Sequence, residues 1–197
     1  MTAISLSIKH DWPDLQRKID RQRKDIADKA MARALNKTID QGRAEMARRI
    51  AAEYRIKISD VRQRLAITRA RKQGKALELT VSLEATRAGK GRSMNLIAFH
   101  TGGGRVLKSG KRQQLRFKIR RDGGNKQITG AFIGNKGRTI FIREGEDRLP
   151  IKAVSTIDVI QMFNVKRINL AVREALLASL ESNFDRELRV VLGGYAQ

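Results

Sequence analysis

Histidine is the side chain best suited to proton transfer near neutral pH, and this chain of 197 residues has two, His10 and His100, and no cysteine. His100 stands beside Thr101 and the run Gly102-Gly103-Gly104, after an apolar stretch, which reads as a strand-end or loop histidine. The glycines invite a phosphate-loop reading. Such a loop needs Gly, four residues, then Gly-Lys and Ser or Thr, so that backbone N–H groups and one lysine surround the phosphates. Gly104 is followed five places later by Ser109, and Gly110-Lys111 is preceded by Arg105 and followed by Arg112, so neither frame fits. Acidic side chains gather only at Glu144, Glu146 and Asp147 around Gly145. Three carboxylates on one loop rarely cage a hard cation alone; they read as a solvated turn or as partners for Arg143 and Arg148. No HExxH, DxDxDG or GxSxG pattern occurs. The expectation is a protein without catalytic, metal or cofactor site, and not an enzyme.

What remains is charge. Lys and Arg number 42 against 20 Asp and Glu, a net +22. Val61 to Leu77 holds six basic residues and no acidic one, and Arg87 to Arg121 holds eleven and again none. Most of the net charge thus lies in the middle of the chain. A field of this kind draws polyanions. The middle reads as a solvated basic face, a phosphate-contacting surface, or a surface meeting an acidic protein. Aromatic residues for base stacking are few: Phe99 and Phe117 alternate into strands, and Tyr54 and Tyr195 are remote. Any nucleic-acid contact would therefore run through backbone charge. The residues proposed to face DNA or a partner are Arg105, Lys108, Lys111, Arg112, Arg116, Lys118, Arg120 and Arg121.

The elements that must position them follow from periodicity. Thr2 to Ile8 alternates loosely, as an arm or short strand within 1–12. Asp11-Trp12-Pro13 suits a helix entry, with Asp11 as cap and Pro13 in the first turn. Leu15, Ile19, Ile26, Met31, Leu35, Ile39, Met46 and Ile50 then recur at helical spacing, as one long helix or two broken near Gly42, ending around Tyr54. A short helix follows from Ser59, its N-cap, through Leu65, with Gln63 near a capping-box position, closing the helical part 13–66; residues 69–74 read as a loop. A β meander over 76–154 comprises the alternating Leu77, Leu79, Val81 and Leu83, the run from Met94 to Phe99, Leu115-Phe117-Ile119, a hairpin from Ala131–Ile133 to Arg138–Arg143 turning at Asn135-Lys136-Gly137, and a last strand from Leu149 to Val154. The glycine clusters around Gly89, Gly102 and Gly123 predict long, mobile loops. Residues 157–192 are helical: Val165, Ile168, Val172, Leu176, Leu180, Phe184, Leu188 and Val191 form one stripe, with Glu181, Asp185 and Glu187 among the charges off it. Gly193-Gly194 ends the helix before the tail 193–197. The reading is a single α+β domain over 1–197, with amphipathic helices covering one face of an antiparallel sheet. No apolar run nears the ~18 residues of a membrane span, and the N-terminus lacks secretory-signal character, so a soluble, unexported protein is expected.

The pieces Ile128-Thr129-Gly130-Ala131-Phe132-Ile133, Lys136-Gly137-Arg138, Phe141-Ile142-Arg143 and Arg148-Leu149-Pro150-Ile151-Lys152, in this order and spacing, resemble the phage minor tail protein Z family, the tail completion proteins. The resemblance takes in the Ala30 to Arg49 helix with Ala34-Leu35-Asn36, the Ser59 to Ile67 segment and the closing helix, roughly Arg17 to Leu192. The chain departs from the pattern in having no proline between Ala153 and Ile160, before Gln161-Met162-Phe163. The resemblance implies a structural protein at the head-proximal end of a long tail. It would form a homo-oligomeric ring beside the tail terminator, tail tube and head connector, help join tail to head, and position the genome end for ejection, with non-specific DNA contact. It would belong to the virion and be assembled in the host cytoplasm. The alternative reading is a free-standing, sequence-independent RNA- or DNA-binding protein; a free binder shows a basic stripe on a helix or sheet face with aromatics interleaved.

Overall fold

The computed structural model describes residues 5–7, 24–73, 76–78, 80–86, 94–110 and 113–194. Their contacts divide into two units. The first gathers Met1–Ala47, Leu65–Thr86 and Phe163–Gln197, and the second Arg48–Arg64 and Arg87–Met162.

In the first unit the main elements are two long helices. Helix α1 runs Lys24–Glu53, its last six residues falling in the second unit. It is one helix, unbroken at Gly42. A Cβ there would lie 2.6 Å from Leu176 Cδ2, so the missing side chain leaves room for a leucine of the closing helix. Ala27, Ala30, Ala34 and Ala47 are buried on the same helix beside Met31, Leu35, Ile39 and Met46. The proposed entry at Asp11 to Pro13 lies outside the described residues.

A short helix, α2 (Ile58–Arg62), belongs to the second unit. Lys57, not Ser59, occupies its N-cap, and no side chain caps it; Ser59 Oγ turns to Asp60 instead. Gln63 is the C-cap. The helix stops before Leu65, because Leu65–Thr68 is strand β2. The expected loop over 69–74 is also mostly strand: β3 (Arg71–Gln73) pairs antiparallel with β4 (Ala76–Glu78). The alternating run continues into β5 (Ser82–Ala85), which lies between β1 (Ser5–Ser7) and β2. One stretch read as a single strand thus serves two sheets. Val81, Leu83 and Ala85 are buried, as the alternation requires.

Six further strands lie in the second unit. The apolar run from Met94 folds not as a strand but as a 3-10 helix, Leu96–Phe99. Asn95 decides this locally. Its Oδ1 accepts from the Ile97 N–H, capping the turn, and also from the Ile140 N–H at 2.9 Å. Strand β6 (His100–Gly102) follows and pairs with β7 (Arg116–Phe117), which pairs with β8 (Lys126–Gln127). His100 is therefore in a strand, tilted against Phe117 at 6.0 Å. A separate sheet holds β9 (Phe132–Gly134), β10 (Thr139–Arg143) and the edge strand β11 (Ile151–Ala153). The β9–β10 turn has the predicted residues in left-handed conformations: Asn135 at φ 50°, Lys136 at φ 53° and Gly137 at φ 84°. The meander is thus four small antiparallel sheets among the described residues.

Helix α3 (Val159–Phe163) opens on a reciprocal cap. Asp158 Oδ1 accepts from the Val159 N–H, and the Asp158 N–H donates to Gln161 Oε1 at 3.0 Å. Arg64 binds the same carboxylate at 2.7 Å. Helix α4 (Lys166–Gly193) buries Ile168, Val172, Leu176, Leu180, Phe184 and Val191 in the first unit. Glu187, placed off the stripe by the sequence, is buried on it. Arg33 Nε at 2.8 Å and Lys37 Nζ at 3.4 Å supply the opposite charge a buried carboxylate requires. The fold is α+β, with a long helix near each end and small antiparallel sheets.

Candidate partner-facing basic surface

Of the basic middle, Arg105, Lys108 and Arg116 lie on the β6–β7 hairpin. Buried Phe99, Leu115 and Phe117 anchor its base. Gly103 lets the strands close: its φ is 102°, and a Cβ there would meet Gln114 O at 2.1 Å. The Gly104 N–H donates to Gln113 O, and the Gln113 N–H returns a bond to Arg105 O at 2.8 Å. The glycines therefore seat two chain segments against one another, where long loops were expected. Beyond these bonds the chain projects, with Val106 64% and Leu107 48% exposed. Water-exposed apolar neighbours at a hairpin tip are the unusual feature, since exposure of charge alone needs no explanation.

The proposed residues fall into three groups. Arg105, Lys108 and Arg116 are exposed and Lys118 is half-buried, and none has an ion pair among the described residues. Lys111 and Arg112 lie outside the described residues. Arg120 and Arg121 have intramolecular tasks. Arg120 grips Asp122 through Nε and Nη2, each at 3.0 Å, and its guanidinium stands 5.9 Å from the Tyr54 ring centre. The hydrogen bonds from Arg120 hold the Asp122 carboxyl below its ordinary pKa, and the same bonds hold the Arg120 guanidinium above its own. Arg121 Nε donates to Ala51 O at 2.7 Å and its N–H to Glu53 O at 2.8 Å. It thus satisfies carbonyls at the end of α1, where a cation is also favoured by the helix dipole.

The acidic trio is elsewhere in the second unit, on the exposed β10–β11 loop. Arg143, proposed as its partner, stands instead 5.0 Å from the Phe132 ring centre. Among the described residues no cluster of His, Asp or Glu could hold a metal ion. No described helix is long and apolar enough to cross a membrane.

The family model for prophage minor tail protein Z matches residues 15–193. The chain belongs to that family. It is therefore a structural protein of a phage tail and a component of the virion. No curated protein and no solved structure matches it. The matched span takes in both units, so the basic hairpin and the two long helices are parts of the family region.

Sequence reasoning missed Asn36, quoted only within the Ala-Leu-Asn run, whose side chain receives the Ala70 N–H at 2.8 Å and donates to Ala70 O. It also missed the cap at Asp158 and Gln161, although Asp-x-x-Gln before an apolar run is a legible signal.

Proposed function

We propose that the chain completes the head-proximal end of the tail as a ring of identical subunits, helps join it to the head connector, and assists in placing the genome end for ejection. In this reading the β6–β7 hairpin is the contact with the neighbouring ring. The observation behind it is that Arg105, Lys108 and Arg116 of the hairpin have no carboxylate partner among the described residues and stand beside two exposed apolar residues. Bare phosphate contact has no use for Val106 and Leu107. A protein neighbour with an acidic rim and an apolar centre uses both features, because such interfaces combine an apolar core with a charged rim. DNA passing through the ring is the second reading, favoured by the density of positive charge.

The test replaces Lys108, Lys111 and Arg112 together with Ser. The expected outcome is an unchanged fold by circular dichroism and fewer infectious particles. Complementing carboxylate-to-lysine changes on a neighbouring tail protein should restore the yield if the contact is protein. A contact with DNA would instead show as binding by the free chain that falls steeply with salt. Normal assembly and infection by the triple variant would leave the hairpin a solvated face.

A further inference from the structure

The second unit carries an open groove of about 480 Å³ that the proposed hairpin contact does not use. Its walls are Phe117, Ile119, Ile128 and Ile157, and its lining includes two cations, Arg120 and Lys126, and no carboxylate. Arg120 shares its charge with Asp122, whereas Lys126 is exposed and has no ion pair among the described residues. The same unit carries a surface of the opposite kind. On the β10–β11 loop Glu144, Glu146 and Asp147 are exposed, followed by the exposed Arg148, after which Leu149 is 66% and Ile151 39% exposed. Strand β11 is an edge strand with all three residues exposed, so its outer side has no strand neighbour among the described residues. One copy thus displays an apolar recess with a basic rim and an apolar knob with three carboxylates on its N-terminal side and Arg148 next to Leu149.

We propose that the loop 144–151 of one copy docks into this groove of a second copy, Leu149 entering the apolar recess while Glu146 and Asp147 approach Lys126. A contact between two different patches of identical chains is heterologous, and repeated by rotation it closes a ring. Leu149 provides the larger share of the affinity, because its burial removes apolar surface from water. The rim charges supply register and exclude like-charged approaches. This inference rests on the reading that several copies assemble together, but it assigns the contact to surfaces other than the hairpin.

The native chain has no cysteine, which makes the test direct. Arg148→Cys and Gln127→Cys place single thiols on the exposed loop, beside an intact Leu149, and on the exposed groove edge, with Ser182→Cys on the exposed side of α4 as control. Circular dichroism establishes that each variant folds. Mixed and treated with a short bis-maleimide linker, the Arg148→Cys and Gln127→Cys chains should join at least about tenfold faster than either joins the Ser182→Cys chain, because docking raises the local concentration of the thiol pair. Lys126→Glu should slow that linkage and Lys126→Arg should preserve it. The same pair should link between copies in assembled tails. Linkage at the control rate in both settings overturns the proposal, as does linkage of Gln127→Cys to a different tail protein. Loss of infectivity by the hairpin variants without the Arg148–Gln127 linkage would overturn this contact and spare the tail-end reading.

Discussion

The two units divide the chain's charge unequally. The second holds 23 Lys and Arg against seven Asp and Glu, leaving 19 and 13 to the first. The first spends its polar residues internally. Asn183 donates to Thr38 Oγ1 at 2.9 Å and to Gln41 Oε1 at 2.8 Å, Glu187 meets Arg33 and Lys37, and Asn36 brackets Ala70. Buried polar groups need such partners, and satisfying them fixes one packing. The second unit builds its sheets from short strands and sets many of its charges in water. The difference lies in where polar groups are satisfied: within the packing of the first unit, and largely by solvent in the second, whose charges are the ones proposed above to meet neighbours.

The sharpest way to break this comparison is in the first unit. Leu176, 2% exposed and set against Gly42, should not tolerate a carboxylate. Leu176→Asp loses buried packing and adds an unpaired charge, at a cost of about 4 kcal/mol or more, comparable with the whole stability of many domains. Thermal melting followed by circular dichroism should show a chain largely unfolded; a native melt would refute the core assignment of α4.

A smaller and local effect is expected in the second unit. Gly103→Ala puts a Cβ into the Gln114 carbonyl at a positive φ, costing roughly 2–3 kcal/mol. Amide exchange should show lost protection at Gly104 and Gln113, whose N–H groups close the hairpin, with the amides of α4 still protected. Equal loss in α4 would mean that the hairpin and the helices fold as one cooperative element.

The smallest effect concerns Arg120 and Asp122. Because the Asp122 pKa is lowered on folding, its contribution is present above the unfolded pKa and disappears as pH falls through the lower folded value. The pair is exposed and screened by water, so Asp122→Asn should leave the melting temperature unchanged at pH 7. An NMR titration should place the Asp122 midpoint below 3.8, the ordinary value for the group. A midpoint at or above it would mean that the guanidinium is not held there in solution.

The long helices, the β9–β10 turn and the family were legible in the order of the residues. Helical periodicity over many residues is redundant, so single exceptions such as Gly42 do not erase it. Asn135-Lys136-Gly137 offers left-handed conformations that few residues take without cost. The location of the basic excess was equally legible, since charge is a property of composition. Tertiary structure alone decided the rest. A four- to six-residue apolar run such as Met94 to Phe99 satisfies a strand and a buried helical turn alike, and the choice came from Asn95 bonding to Ile140, distant in the chain. The alternation through Leu77 to Leu83 marks one buried face but names no partner strand, and two different sheets claimed it. Glu187 has the spacing of the core stripe and the chemistry of the surface, and only Arg33 and Lys37, brought beside it by folding, make its burial tolerable. Arg120 and Arg121 look alike within a basic run, yet Arg120 bonds the exposed Asp122 two residues on, whereas Arg121 reaches Ala51 O at the end of α1, a partner that sequence distance does not reveal.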